Sequence, residues 1–387
     1  MTEPTANAAP GPAAEPGPAV PPDTAVPQDT AMPPDTAMPL DPDMAQAAIE
    51  HCYEQGWSDG LPLVPATQPL VDKFLATTSR DPDEIIGTLE QVGRDCTVYL
   101  AAINAAMAGC KPEYFPVVLA AFDALMRERA ARGGGFQSTS GPAPLIIVNG
   151  PVRKELGFNT AGGAFGPGFR PNMTIPRAIG LIVRNAFGIV PHVLEQATQG
   201  VPGRWSICVA ENEEESPWGP LAADAGVPGG RSAVSCTLTR TMEFVDNRHT
   251  PNHEDVLRDL ADSIGRLGPQ IFPHTPVALV LSPEHAQMFA DAGMSKADVQ
   301  AWLIERSGRT AGQLRRAGKG EVLRWTGALG GPTRDAESVP DEEFHRVLAE
   351  PRQIPIIVAG AKNAAISMVV RIFGEWSGVA TPVAEKK

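Results

Sequence analysis

"PAPLIIVNG" (142–150), followed by "NTAGGAFGPGFRPNMTIPRAIGLIVRNAFG" (159–188), reads as strand, glycine-rich loop and helix. The first segment is a short, β-branched apolar run between Pro142 and Gly150, the mark of a buried strand. In the second, Ile175, Ile179, Ile182, Val183 and Ala186 recur at helical spacing. Thr174 or Asn172 is expected to cap that helix, with Pro176 in its first turn, where backbone N–H groups have no helical partner. Arg177 and Arg184 are about two turns apart and are expected to share one side.

The same alternation continues outward. "RWSICVA" (204–210), "SAVSCTLTRTMEFV" (232–245), "TPVALVLS" (275–282) and "QIPIIVAG" (353–360) read as strands. "HEDVLRDLADSIGRL" (253–267), "PEHAQMFADAG" (283–293) and "SKADVQAWLIERSG" (295–308) read as helices, and a further helix is expected from about Asn363. Before residue 140 the chain is helix-rich: "MAQAAIEHCYEQGW" (44–57), "TQPLVDKFLATT" (67–78) capped by Thr67, "CTVYLAAINAAMAG" (96–109) and "PEYFPVVLAAFDALMRERA" (112–130). Apolar strands alternating with helices predict an α/β fold, with a mostly parallel or mixed sheet flanked by helices. The expected organisation is a main α/β domain over 43–245 with the glycine-rich loop, then a second α/β portion over 246–387; whether it belongs to the same domain is left open. Residues 1–42 carry a degenerate repeat, "PPDTAV", "PQDTAM", "PPDTAM", "PLDPDM", and are expected to be a disordered proline-rich tail, with too few large apolar groups to offset ordering entropy.

The 387 residues are 43% hydrophobic and 20% charged, as in a globular protein with a sizeable core. A formal net charge of −13 argues against non-specific nucleic-acid binding, which needs a basic face. No apolar run approaches the ~20 residues that span a bilayer. The first residues lack a basic start followed by an apolar run, so the expected location is cytoplasmic, with no membrane partner. Cys52, Cys96, Cys110, Cys208 and Cys236 form no CxxC pair or zinc-finger spacing, and inert buried thiols are the default.

Glycine in front of a helix has two explanations, a plain turn or a cradle for an anion. A helix N-terminus offers free N–H groups and about half a positive charge. Glycines let backbone approach a ligand closely, and Arg170 adds a two-pronged donor. On the cradle reading Gly162, Gly163, Gly166, Gly168, Arg170, Asn172, Thr174 and Arg177 hold a carboxylate or phosphate. Lys362, at the end of the strand 353–360, is a further donor, or a solvated turn lysine. "GAFGPGFR" has Walker A glycine spacing, but Phe169 and Arg170 stand where Lys and Ser/Thr are required, and GxGxxG is absent from this stretch.

Four side chains are candidates for proton transfer. Glu211 and Glu213, in "CVAENEEESPWGP", follow an apolar strand directly, where carboxylates serve as acid or base; a solvated loop is the alternative. His249, four residues before His253, is a candidate acid or base, while Pro251 between them weakens a shared metal site. Asp59, in "GWSDGLPLVPAT", sits in a turn beside Trp57, and Asp-Gly is also an ordinary turn pair.

"GWSDGLPLVPAT", "AINAAMAGCKPEYFPVVLAA", "LIIVNGPVRKELGFNTAGGAFGPGFRPNMTIPRAIGLIVRN" and "CVAENEEESPW" resemble a poorly characterised bacterial family with a GW[ST]DGLPxVPPT opening, associated with UGSC-type selenocysteine or cysteine proteins. Ala66 replaces the second proline of that opening. The likeness covers about residues 45 to 260, and more weakly the rest. It implies a thiol or selenol redox partner and reductive or lyase-type chemistry, while this chain has no such redox motif of its own. The resulting expectation is an enzyme binding a small organic anion and cleaving a carbon–heteroatom bond with a UGSC-type partner. The alternatives are a non-catalytic binding or scaffold subunit of a redox system, and a metal-dependent hydrolase using His249, His253 and a carboxylate. No cofactor is assigned, and a homo-oligomer is left open.

Overall fold

A computed structural model of the chain describes residues 41–270, 272–325 and 334–384. The segment read as a disordered tail lies outside the described residues except for its last two. The chain divides into two units, Met1–Ala47 and Ala48–Lys387.

The described chain opens with helices α1 (Pro42–Glu54) and α2 (Gln68–Leu75), then a hairpin of β1 (Ile85–Leu89) and β2 (Arg94–Thr97). Helices α3 (Val98–Met107), α4 (Phe115–Arg127) and the single turn α5 (Arg129–Arg132) follow. Next come β3 (Ala143–Asn149), the short α6 (Val152–Glu155), α7 (Arg170–Asn185), β4 (Cys208–Ala210), the short α8 (Leu221–Asp224) and β5 (Ala233–Asp246). The remainder is α9 (His253–Ile264), β6 (Val277–Leu281), α10 (Pro283–Asp291), α11 (Lys296–Arg306), β7 (Gly308–Thr310), α12 (Ala311–Arg316), β8 (Phe344–Arg346), β9 (Ile356–Val358), β10 (Ile366–Ile372) and β11 (Thr381–Pro382).

The main sheet has the order β4-β3-β5-β10-β6-β9, with β11 on β5. It is mixed: β3 with β4 and β6 with β9 are parallel, and the other pairings are antiparallel. Ile146 and Val148 of β3, Cys208 of β4 and Cys236 and Leu238 of β5 face α3, α4 and α7 in one core. Leu279 of β6, Val358 of β9 and Val369 of β10 face α9, α10 and α11 in another. The opposite faces of both halves, through Leu145, Ile147, Val209, Val280, Ile357 and Val370, meet in a third cluster. The sheet therefore curls over on itself, helped by an irregularity between Arg371 and Ile372 where β10 pairs β5. Burial on both faces explains why β3 is apolar up to its last residue, Asn149, and buried at all seven positions. β5 runs through the expected boundary at 245/246, so both portions share one sheet.

Local expectations fail in three places. The helix after the glycine-rich loop begins at Arg170, with Phe169 as its N-cap, so Thr174 and Asn172 lie within it. Pro171 takes the first-turn position, and Pro176 falls inside the helix. No helix starts near Asn363, where a short turn leads into β10. The β1–β2 hairpin was not anticipated, because its strands carry little alternation. Among the described residues no helix is long and apolar enough to cross a membrane.

Candidate functional site

The glycine-rich loop is anchored at both ends and pinned in its middle by Ala164 and Phe165 against the third core cluster, with exposed glycines on either side. The Asn159 N–H donates to Asn172 Oδ1 at 2.9 Å, and Asn172 Nδ2 donates back to the Asn159 carbonyl at 3.2 Å. Asn172 is thus a buried clamp on the loop mouth. Asn159 Nδ2 also donates to the Gly162 carbonyl at 2.9 Å, and the Gly360 N–H donates to the Thr160 carbonyl at 3.0 Å. This last bond sets the loop beside the end of β9, close to Lys362. Gly163 (φ 69°) and Gly168 (φ 117°) take left-handed backbone, which disfavours any side chain there. Gly162, Gly163 and Gly168 are exposed, while Gly166 donates its N–H to the Gly163 carbonyl.

At the start of α7, Arg170 Nε donates to the Gly109 carbonyl at 2.9 Å. That bond fixes the guanidinium through one nitrogen. The Phe169 cap supplies no side-chain acceptor to the first turn. Thr174 Oγ1 donates to the Arg170 carbonyl at 2.8 Å. Arg177 is differently engaged. It holds Asp59 through two bonds of 2.8 Å and also donates to the Leu61 and Pro62 carbonyls at 3.2 and 3.0 Å. Arg184 donates to the Gly56 carbonyl and Asn185 to the Trp57 carbonyl. Arg177 and Arg184 do share a side, and what lies along it is the "GWSDGLP" turn. Burial disfavours the Asp59 carboxylate, but the Arg177 fork and the Leu61 N–H overcome that and hold it below its ordinary value. Asp59 is therefore an ion-pair anchor, poorly suited to accept a proton.

Cys110 lies against the same helix, its Sγ donating to the Thr174 carbonyl at 3.3 Å. Burial pushes this thiol up to about 12, although Thr174, Arg170 and Arg177 act the other way. It is a protonated thiol. Trp57, Leu61, Val64 and Phe169 are exposed large apolar side chains on this turn and at the α7 N-cap.

The carboxylates after β4 form a separate joint. Glu211 is fully buried and accepts from Asn149 Nδ2 at 2.7 Å, the Leu221 N–H at 2.9 Å and the Val358 N–H at 3.2 Å. It thereby ties the ends of β3 and β9 and the start of α8 to one carboxylate. The Asn212 N–H donates to the Val358 carbonyl at 2.7 Å, joining the two edges of the curled sheet. Glu213 accepts from the Gly150 N–H at 2.7 Å and pairs with the buried Arg153 at 2.8 Å. Arg153 also grips Glu214, whose carboxyl is lowered to about 2 chiefly by that bond. Burial raises the Glu211 carboxyl above its ordinary value.

Lys362, half-exposed, pairs with Glu215 at 3.4 Å. His249 is exposed on the connection from β5 to α9, and His253 opens α9, where Asn252 is the cap. Among the described residues no three His, Cys, Asp or Glu side chains group as a metal site. The fold thus brings together Arg170, Asn172, Thr174, Arg177 and Asp59 around the loop–helix junction, with Gly162 and Lys362 on its β9 side. No hydrogen bond or ion pair among the described residues joins Glu211, Glu213 or His249 to Arg170. Asn149, Arg153 and Asn159 escaped sequence reasoning; the only hint was a polar residue ending an apolar strand, with a charge four residues on. No protein-family model, curated protein or solved structure matches the chain.

Proposed function

We propose that the chain is the anion-binding component of a redox or group-transfer system. The carboxylate or phosphate of a small organic molecule sits on the exposed glycine backbone in front of α7, against the Arg170 guanidinium. The observation that carries this reading is the Arg170–Gly109 bond, which holds the guanidinium through Nε and leaves its other nitrogens available beside a helix start. The binding-subunit form of the reading is favoured because Glu211, Glu213 and Asp59 are all engaged by internal donors. The exposed Trp57, Leu61, Val64 and Phe169 also offer apolar surface beside the loop. The partner that the family resemblance implies, a thiol or selenol protein, would supply the redox group for carbon–heteroatom cleavage.

Thermal unfolding against a panel of small carboxylates, phosphates and thioesters tests this. A ligand bound only by the native state raises the melting temperature by mass action. The expected result is a shift in wild type that disappears in Arg170→Ala. If no anion shifts wild type, or the mutant shifts equally, the reading fails.

A further inference from the structure

Between α9, α11 and the antiparallel pair β7–β8 runs a groove of about 450 Å³, away from the glycine-rich loop and the Glu211 joint. Its walls carry Arg258, Asp262, Trp302, Arg306, Arg309 and Phe344.

Two of the three arginines are already neutralised. Arg258 donates to Glu254 at 2.7 Å and to Asp255 at 2.5 Å. Arg309 donates to Asp262 Oδ1 at 2.8 Å and to the Gly308 carbonyl at 3.0 Å. Arg306 differs. Its guanidinium carbon lies 4.6 Å from the centroid of the Trp302 ring, and among the described residues it has no carboxylate partner. A guanidinium held over an aromatic face with no carboxylate partner retains N–H donors for an oxyanion.

The other wall is aromatic. Phe344 pairs in register with Thr310, and its ring lies over Gly308, where an added Cβ would come within 2.8 Å of Cζ. The His345 carbonyl lies nearer still to such a Cβ, so glycine at 308 makes room for the neighbouring strand as well as for the ring, and 45% of Phe344 remains exposed in a groove that Trp302 also lines.

We propose that this groove binds a planar aromatic anion, an aryl carboxylate or aryl phosphate. The anionic oxygens take the edge of Arg306 and the ring lies against Phe344. The site shares no residue with the loop before α7, so it stands independently of the function proposed above.

The test is calorimetric titration of the full chain with phenyl phosphate, benzoate, cyclohexanecarboxylate and inorganic phosphate. Wild type is compared with Arg306→Ala, Arg306→Lys, Phe344→Ala and Arg170→Ala. Phenyl phosphate is expected to bind about tenfold tighter than inorganic phosphate, and benzoate tighter than cyclohexanecarboxylate. Arg306→Ala should weaken aryl anions about tenfold or more, with Arg306→Lys recovering only part of that. Phe344→Ala should erase the preference for aryl over cyclohexyl, whereas Arg170→Ala should remove only the anion binding that belongs to the loop and leave that aryl preference in place. Absence of aryl-anion binding at millimolar concentration overturns the proposal, as does equal binding by folded Arg306→Ala. Loss of binding in Arg170→Ala but not in Arg306→Ala would assign the ligand to the loop, and also overturns it.

Discussion

Glu211 and Arg170 are both charged residues at the end of an apolar or glycine-rich run, and by local sequence each is an equally good candidate for chemistry. The fold treats them in opposite ways. Glu211 lies where the two edges of a curled sheet meet, is fully buried, and answers three donors from three elements. Arg170 starts a helix at the surface, and among the described residues a single backbone carbonyl fixes it. A buried charge whose partners are all internal has little left to offer a ligand, whereas a charge held at one atom and open at the others is ready for one. The lesson is that saturation of partners, more than charge or position, separates a structural ion from a binding one.

Removing Glu211 is the most severe way to challenge that contrast. Glu211→Ala leaves the Leu221 and Val358 N–H groups buried without an acceptor and Asn149 Nδ2 with Glu213 Oε1 alone, and should lower the unfolding free energy by about 4 kcal/mol. Denaturant titration measures this. A loss below about 1 kcal/mol would mean that the joint is not structural, and would return Glu211 to the list of candidate bases.

Glu128 sharpens the same contrast at intermediate strength. It is buried, and among the described residues Ser377 alone serves its carboxylate, through its N–H and its hydroxyl. Burial, opposed by Ser377, raises its carboxyl from an ordinary 4.5 to about 7. The folded chain thus binds this proton more tightly than the unfolded chain. The associated stability is complete below about pH 4.5 and is lost as pH rises through about 7. Between pH 5 and pH 8, wild type should lose about 2 kcal/mol more than Glu128→Gln, which carries no such proton. Parallel pH profiles for the two proteins would refute the shift.

The smallest effect belongs to the Asp59–Arg177 pair, which is partly exposed and therefore screened. Its bidentate geometry should give a coupling of about 1 kcal/mol in a double-mutant cycle of Asp59→Asn and Arg177→Ala. A coupling indistinguishable from zero would show that the "GWSDGLP" turn is held by packing and by the bonds to backbone carbonyls alone.

Much of the fold is legible locally. The strands β3, β5, β6 and β9 and the helices α9, α10 and α11 follow from apolar period, β-branching and caps such as Ser282 and Ser295, all set within a few residues. The helical spacing of Arg177 and Arg184 is read correctly too, since geometry along a helix is a local property. Where neighbouring residues compete, the reading slips. Arg-Pro begins α7 earlier than the Thr174 cap suggested, and Ala-rich sequence after Gly360 enters a strand because β5 and β6 flank it.

The sequence alone determined the alternation of strands and helices, the exposure-ready glycine loop and the identity of its charged residues, because these depend on contacts within one or two turns of chain. Only the tertiary structure decided which charges are sealed and which are open. Asp59 and Arg177 meet across 118 positions, and Glu211 and Val358 across 147. Burial and hydrogen-bond saturation are properties of such distant pairs, and no local pattern of residue types encodes them.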